Sequence, residues 1–332
     1  MIDLVQSHLV AILVPCVGHK NTNSMAKFYD KATGITALVA EIRQRAVEKD
    51  EMAKAVVSHG EPFAYSGWTF VGRKSHITPL QALDVLGNSI GMTPPEMVFG
   101  ENQLLLLHEA SGVCISFMAV EALSCCHFKA GSDAQQLKVT MARVQSATSA
   151  YVDDNPSFLS SHVVSDEVKE LEISYDWTYT SDYKGTLARV DDHGVANTTA
   201  DAVRVVTTTE RIDFEKLKVR EDILWMEDVS LYEDELHDHG VSIYSRVMPS
   251  GFYVLARYWM RLDNVVVRLN ETRIHHVFGK DFLLREYTAK EVTFDTLFAA
   301  GHPNHMSNYT NIDTFQHLVP TKSSHFEKIY LH

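Results

Sequence analysis

The chain has 332 residues, 45% of them hydrophobic and 22% charged, which is the composition of a globular protein long enough to bury a sizeable core. Its 43 acidic residues against 30 Lys plus Arg give a formal charge of −13, and this disfavours nucleic acid as a partner because phosphates would be repelled. A basic peptide or a partner with a positive surface fits this charge better.

The sequence contains four cysteines: Cys16, Cys114, Cys125 and Cys126. They form no CxxC pair and indicate no disulfide framework, so we expect a reducing, cytoplasmic location. An apolar run at residues 9–17 has no Lys or Arg before it. It therefore lacks the basic leader of a signal peptide, and it is too short to span a bilayer as a helix.

Residues 1–62 differ in character from the rest of the chain, and we expect an N-terminal extension there and a main domain over 63–332. Within the extension, residues 37–59 are rich in Ala, Glu, Lys and Arg. Their apolar positions recur at helical spacing: Val39, Ile42, Ala46, Ala53 and Val57. The pattern predicts an amphipathic helix, which either packs on the main domain or forms a loose appendage.

The first half of the main domain mixes predicted strands and helices. Residues 67–72 and 103–117 read as strands, 78–90 as a helix, and 119–128 as a second, short helix. The polar stretch 145–172 breaks the pattern and is expected to be a loop or insertion.

The middle of the chain is less clear-cut. Residues 190–201 are expected to form a loop, and 212–222 to begin as a helix capped by Asp213. Residues 223–232 fit either a strand or the end of that helix, and the pattern does not choose between them.

The last third of the chain predicts an antiparallel meander. In residues 252–260 every second residue is apolar, while Arg257 and Trp259 lie on the other side. Turns at 263–264 and 279–281 separate this strand from strands beginning at Val265 and Phe282. The chain therefore reads as α+β, mostly β, with helices at the edges.

One segment suggests metal chemistry. His237 and His239 form an HxH pair, which on a strand places both imidazoles on one face, and the His275-His276 pair could add a third ligand. The alternative function is thus a metal-dependent hydrolase or oxygenase. However, there is no HExxH, and the later carboxylate of a cupin-type site is missing. A solvated acidic turn is favoured, and we predict no metal, cofactor or catalytic residue.

Two further segments stand out. From 221 to 245 there are eight acidic residues and no Lys or Arg, which is typical of a solvated surface or a landing patch for a basic partner. Residues 175–187 hold three tyrosines and Trp177, a mixture found at binding surfaces and in strand cores alike. No phosphate-binding GxxxxGK[ST] loop and no GxGxxG is present.

A family resemblance becomes clear when several long segments are taken together. In chain order they are GWTFVGRKSHI, PPEMVFGENQLLLLHEASGVCISF, YDWTYTSDYKGTL, ERIDFEKLKVRE, LYEDELHDHGVS, RVMPSGF, RLNETR and LLREYT. These runs closely resemble the TIPRL family, the TOR signalling pathway regulator-like proteins. The resemblance covers roughly residues 63–331 and leaves 1–62 without a counterpart.

The resemblance implies a non-enzymatic regulator that acts in TOR signalling. Members of the family bind and restrain the catalytic subunits of type 2A serine/threonine phosphatases and their relatives. It also implies a fold of two-layered antiparallel sheets with helices at the rim, a cleft that receives the C-terminal tail of the phosphatase, and a monomer outside the complex.

Four cleft positions carry over from the family: Glu121, Ile212, Leu269 and Glu271. Asp is the commoner residue at both glutamate positions and Met at the leucine, so each carboxylate here is one methylene longer. Ile212 and Leu269 are equally compatible with plain core packing. For the body of the phosphatase we expect a second contact surface that is acidic or aromatic, formed by the run before Gly240 or by residues 175–187 with Trp177 and Tyr179. The cleft acids would repel a free tail carboxylate unless Arg268 or Arg273 offsets them, so carboxyl methylation of the tail should not abolish binding.

Overall fold

The computed structural model describes Thr36 and residues 61–90, 94–128, 138–140, 170–172, 179–234 and 239–332. The chain divides into a main unit and a smaller one at His127–Tyr179. In the smaller unit, strands β7 (Lys138–Thr140) and β8 (Glu170–Glu172) pair antiparallel. Residues 170–172 therefore form a strand at the end of the segment predicted to be a loop or insertion. The rest of residues 145–169 lies outside the described residues.

The main unit contains a six-stranded antiparallel sheet, called the small sheet. Its strands in spatial order are β1 (Phe63–Tyr65), β2 (Trp68–Arg73), β4 (Gln103–His108), β5 (Val113–Met118), β10 (Thr186–Val190) and β11 (Ala196–Asn197). The single strand expected at 103–117 is thus a hairpin. Gly112 makes the turn at a φ of +69°, and a Cβ there would lie 2.0 Å from the Val190 carbonyl oxygen, so only glycine fits.

The second sheet has eight antiparallel strands and is called the large sheet. In spatial order they are β12 (Val205–Thr207), β18 (Thr321–Tyr330), β17 (Phe282–Thr293), β16 (Val266–Val277), β15 (Gly251–Leu262), β14 (His239–Met248), β13 (Trp225–Asp234) and β3 (Met97–Val98). Strands β13 to β18 pair in chain order, which confirms the predicted meander and extends it to six strands. Residues 225–234 form a strand, so the open choice at 223–232 is resolved.

The helices are short and connect or flank the sheets. They are α1 (Leu80–Ile90), α2 (Ala119–Ser124), α3 (Phe214–Lys218), α4 (Phe294–Ala299) and α5 (Ile312–Phe315), with 3-10 turns at Met306–Tyr309 and Gln316–Leu318. Two short strands, Cys126–Phe128 (β6) and Tyr179–Ser181 (β9), complete the set. None of the helices in the described parts of the chain is long and apolar enough to cross a bilayer.

The helices predicted at 78–90, 119–128 and 212–222 are correct in position and too long in extent, and the helix predicted at 37–59 lies outside the described residues. Asp213 caps α3 as expected, its carboxylate accepting from the backbone N–H groups of Glu215 and Lys216. This helix ends at Lys218 because Val219 is extended. The second helix ends at Ser124 instead of 128. The fold class predicted from the sequence, α+β and mostly β with two antiparallel sheets, is confirmed.

Aromatic side chains fill the space between the two sheets. The ring of Phe252 on β15 lies 4.8 Å from the ring of Trp68 and 5.2 Å from that of Phe70, measured between centroids. Residues 252, 254, 256, 258 and 260 of β15 therefore face the small sheet, and the odd-numbered residues face away from it. We call this opposite side of the large sheet its outer face.

His276 lies in this core and makes stability dependent on pH. It is 2% exposed, is surrounded by the rings of Trp68, Phe252 and Phe278, and is held by a 3.0 Å hydrogen bond from Nδ1 to the carbonyl oxygen of Phe282. Burial lowers its pKa to about 4. Because the unfolded chain binds the proton first, stability is complete above pH 6.5 and falls as the pH drops from about 6.5 towards 4.

We therefore expect His276→Asn, which keeps a donor for the carbonyl oxygen, to flatten this dependence. Between pH 7.5 and pH 5 the wild-type chain should lose about 2 kcal/mol of unfolding free energy more than the variant. Urea unfolding at both pH values measures the difference. His317→Asn, at an exposed position, is the matched control. Equal pH dependence in the wild type and His276→Asn would refute the assignment.

Candidate functional site

A buried carboxylate between two arginines lies at the centre of the outer face. Glu271 on β16 is 1% exposed, and its Oε1 accepts from Nε and Nη2 of Arg257 at 2.9 and 2.8 Å. Its Oε2 accepts from Nη2 of Arg273. The three residues are called the charged strip. Two N–H groups of Arg257 on one oxygen and the guanidinium of Arg273 on the other leave no uncompensated negative charge on this carboxylate.

The charged strip is tied to a helix that covers one end of the outer face. Arg257 also donates from Nη1 to Oδ1 of Asp313, 3.0 Å away in α5. Burial alone would lower the pKa of Arg257, yet the pairs with Glu271 and Asp313 outweigh it and raise that pKa above its usual value. Because the ion pairs join β15, β16 and α5, they fix the position of the guanidinium groups.

Residues 210–218, called the arm, lie over the same outer face. The backbone N–H of Ile212 donates to Oε1 of the buried Glu286 at 2.6 Å. Further along the arm, the ring of Phe214 is 6.4 Å from that of Tyr253 and 5.9 Å from the guanidinium of Arg273. The structure thus brings Ile212 and Arg273, both named from the sequence, to one surface. On this surface, Phe214 of the arm lies beside Arg273 of the charged strip.

Leu269 lies on the same side of β16 as Glu271, two residues away. It is 0% exposed, and it packs in a core cluster formed by β16, β17 and residues 294–319. We call residues 294–318 the helical cap. Its members in that cluster include Phe294, Leu297 and Phe315. The leucine side chain therefore packs between the sheet and the helical cap.

Glu121 is the one carried-over residue that the structure separates from the others. It is 5% exposed on α2, and its Oε2 accepts from Thr186 Oγ1 at 2.5 Å and from Tyr183 OH at 3.3 Å. The carbonyl oxygen of Tyr183 accepts from Thr272 on the face of β16 opposite to Glu271. Glu121 therefore lies on the small-sheet side of the large sheet, away from the outer face.

The aromatic segment is only partly described. Trp177 lies outside the described residues, and for Tyr179 only the backbone, at the start of β9, is described. Whether these two aromatics form a binding surface stays a prediction.

The acidic run is partly neutralised within the chain. Lys74 pairs with Glu227 at 2.7 Å and with Asp228 at 2.6 Å, and Glu221 accepts from the Ser250 hydroxyl at 2.6 Å. Residues 235–238 of the run lie outside the described residues. In its described part, the run thus ties elements together as well as facing solvent.

The proposed histidine ligands do not converge. His239 pairs with Met260 of β15, whereas His276 pairs with Phe252, which lies eight residues earlier in the same strand. At about 3.3 Å per residue they are roughly 26 Å apart, so one ion cannot take both. His237 lies outside the described residues. Elsewhere in the described ranges, no three His, Cys, Asp or Glu side chains are grouped as metal ligands.

Sequence reasoning missed Arg257, Asp313 and Glu286 as members of this surface. The alternation in β15 did place Arg257 on its outward side, but the pairing of Arg257 with Glu271 depends on strand register. Asp313 lies 42 residues beyond Glu271, in a helix whose position follows from core packing. The sequence signal that could have indicated the site is the charge of Arg257 within the otherwise uncharged residues 252–260.

Comparisons with known proteins match most of the main domain in sequence. The TIP41-like family matches residues 97–298. A TIP41-like protein of Rattus norvegicus is 38% identical over 264 residues, 77% of this chain and 88% of the relative. A TIP41-like protein of Homo sapiens is 38% identical over 259 residues, 75% and 85% of the two chains. The type 2A phosphatase activator tip41 of Schizosaccharomyces pombe is 29% identical over 240 residues, 71% and 84% of the two chains.

The family match runs from β3 into α4 and takes in the segments on which the resemblance was recognised, except residues 67–77 and 94–96. The matches confirm that recognition. By the family match and by the identity to its relatives, this chain belongs to the TIP41-like family.

Proposed function

We propose that this chain is a non-enzymatic regulator of type 2A serine/threonine phosphatases and binds their catalytic subunit. The observation that carries the proposal is its membership in a family whose yeast relatives are named type 2A phosphatase activators. Those names say activation, whereas the resemblance read from the sequence implied restraint. We therefore propose regulation through binding, whether the binding raises or lowers the activity of the phosphatase.

The surface proposed for this contact is the outer face between the arm and the helical cap. It combines two partly exposed guanidinium groups, Arg257 and Arg273, with the half-exposed ring of Phe214 and the partly buried Leu255 and Trp259. Charged groups fixed by neighbours and flanked by apolar side chains suit an extended peptide that carries both acidic and apolar residues. The C-terminal tail of the phosphatase catalytic subunit is the peptide proposed.

The carried-over residues then act at different depths. Ile212 holds the arm through Glu286, Leu269 holds the helical cap, and Glu271 holds the two arginines. In this proposal they hold the walls of the cleft in position, while Arg273 and Phe214 contact the tail. Glu121 supports the fold between Thr186 and Tyr183 instead of lining the cleft.

The proposal predicts how tail peptides bind. Because Glu271 is neutralised by two arginines, the repulsion expected from the cleft acid is weak, and a free tail carboxylate is tolerated. Free-acid and methyl-esterified tail peptides should both bind, with dissociation constants within about tenfold, or roughly 1.4 kcal/mol, of each other. Isothermal titration calorimetry with the two peptides measures this. Binding by the free acid alone would contradict the expectation.

A pull-down of the phosphatase catalytic subunit tests the function itself. We expect the full chain to retain the subunit and Phe214→Asp to lose at least tenfold in apparent affinity, because the change puts a charge beside the strip without emptying the core. Phe214 is 41% exposed. Val219→Asp, at a 65% exposed position of the following segment, is the matched control and should bind as the wild type does.

No retention of the subunit by the folded wild-type chain would overturn the proposed function. Equal binding by the wild type and Phe214→Asp would keep the function and move the contact away from the arm. Action in TOR signalling, a cytoplasmic location and a monomeric free state are proposed on the same family membership.

A further inference from the structure

A cavity lies between the segment that leads into β10 and the strands β17 and β18. Its volume is about 510 Å³. Pockets that hold small molecules have volumes of roughly 300–1,000 Å³, so this one is large enough for such a ligand. One wall is formed by residues 182–187 and another by residues 198–205, while Arg285 and Glu327 form the floor. We call this space the side cavity.

The side cavity lies on the side of the large sheet that faces the small sheet, called the inner face. Ile274 pairs on one side with Val254, which points to the small sheet, and on the other side with Arg285. Arg285 in turn pairs with Glu327. Because directly paired residues project from the same face of a sheet, Arg285 and Glu327 belong to the inner face. The proposed phosphatase contact lies on the opposite, outer face.

The wall at 182–187 is held in place by contacts with both sheets. The hydroxyl of Thr272 on β16 donates to the carbonyl oxygen of Tyr183 at 3.4 Å. Gly185 has a φ of +77°, and a Cβ there would lie 2.8 Å from the ring of Phe117 on β5. Glycine therefore lets this wall lie directly against the small sheet while it remains bonded to the large one.

The floor of the side cavity contains a guanidinium with two unused nitrogens. Arg285 is 8% exposed, and its Nε donates to Oε2 of Glu327 at 2.7 Å. Within the described chain its Nη1 and Nη2 have no acceptor, and neither nitrogen is sealed from solvent. Arg257, in contrast, donates from all three of its nitrogens to Glu271 and Asp313. Arg285 thus keeps two N–H-bearing nitrogens that open into the side cavity.

A second cation lines the wall of the side cavity. Nζ of Lys184 lies 4.9 Å from the centroid of the Tyr287 ring, and no carboxylate of the described residues forms an ion pair with it. The wall opposite contributes the side chains of Thr198 and Thr199. The acid beside Lys184, Asp182, is exposed. A guanidinium, an ammonium and two threonines therefore line one cavity of a chain whose formal charge is −13.

We propose that the side cavity binds a small organic anion, whose carboxylate or phosphate group is held by Nη1 and Nη2 of Arg285. A planar guanidinium donates two parallel hydrogen bonds to a group of this shape, and Lys184 adds a second positive charge. The volume exceeds what a bare ion needs, so the body of the ligand lies against Leu187 and Val203 of the walls. The inference is independent of phosphatase binding because it uses the other face of the sheet.

The thiol of Cys125 reports on occupancy, because its side chain lines the side cavity. Burial raises the pKa of Cys126 to about 12 and also raises that of Cys114, so these two thiols react slowly and serve as internal references. Alkylation of the native full chain is followed residue by residue with mass spectrometry in inorganic phosphate, in acetate and in chloride at equal ionic strength. Phosphate or acetate at twice its dissociation constant should slow alkylation of Cys125 about threefold relative to chloride.

Variants identify the atoms that hold the anion. Arg285→Gln combined with Glu327→Gln removes the guanidinium without leaving a buried charge alone, and it should abolish the protection of Cys125. Glu327→Gln by itself keeps the guanidinium and should retain the protection. Lys184→Gln should weaken it, whereas Lys280→Gln, at an exposed turn outside the cavity, is the matched control and should not. If the double variant does not fold, the two lysine variants provide the same test.

Equal alkylation of Cys125 in phosphate, acetate and chloride would overturn the proposal. Protection that persists in the folded double variant, or that Lys184→Gln and Lys280→Gln change equally, would overturn it as well. Protection by one of the two anions supports the proposal and identifies the group that is bound. Protection by the phosphatase tail peptide, with none from either anion, would overturn it and move the tail from the outer face to the inner face.

Discussion

Replacing Glu271 by alanine is expected to lower the unfolding free energy by about 3–5 kcal/mol, because the change leaves two guanidinium groups beside each other without their shared carboxylate. The glutamate side chain is 2% exposed, so water cannot replace it, and Arg257 and Arg273 would repel each other. Urea unfolding at neutral pH measures the loss. Tail affinity should fall as well, since the arginines lose their fixed positions.

Glu271→Asp is the informative control. It keeps the charge and is the residue that the family resemblance implies at this position, but it withdraws the carboxylate by one methylene, so both arginine contacts lengthen. A cost of about 1 kcal/mol is expected, together with retained tail binding. If Glu271→Ala were as stable as the wild type, the charged strip would have no structural role and the proposed cleft would lose its support.

Truncation of Leu269 is expected to destabilise the fold by about 2–5 kcal/mol, as for other large-to-small changes in a closed core. The reason is its position under the helical cap, where Leu269→Ala would leave a cavity against Phe294 and Phe315. Leu269→Met, the residue that the family resemblance implies at this position, should cost less than about 1.5 kcal/mol because volume is conserved. Thermal or urea unfolding distinguishes the two variants.

The same pair of variants separates core packing from a pocket wall. If Leu269 lined the cleft directly, Leu269→Ala would weaken tail binding while unfolding stayed close to that of the wild type. A core role gives the reverse order, with stability falling first and binding following only as the helical cap loosens. Calorimetry with the tail peptide on both folded variants decides between these outcomes.

Much of the fold was readable from local pattern. The alternation in β15, the turns after it and the Asp213 cap depend on neighbours a few residues away, and each was predicted in place. The hairpin hidden in 103–117 was missed because both of its strands are buried on two faces and so read as one apolar run. The helix ending at Ser124 was overextended because Cys126–Phe128 is too short for a strand pattern.

The residues proposed for the site could be named from the sequence, but their arrangement could not. Ile212, Leu269 and Glu271 could be named only through the family resemblance, because nothing in composition marks them. Their roles follow from strand register and from the seating of the helical cap, which are properties of the whole sheet. Glu121 shows the difference, since the family resemblance names it together with the other three residues, whereas in the fold it lies on the other side of the large sheet. Whether it contacts a partner stays a prediction.

The order of strands in the large sheet has a consequence for how the chain acquires its structure. Strands β13 to β18 pair with their neighbours in sequence, so their contacts have low contact order and are expected to form early. Strand β12, which leads into the arm, pairs instead with β18 near the C-terminus. On the ribosome, the arm can therefore take its place only after β18, the final strand of the meander, has emerged.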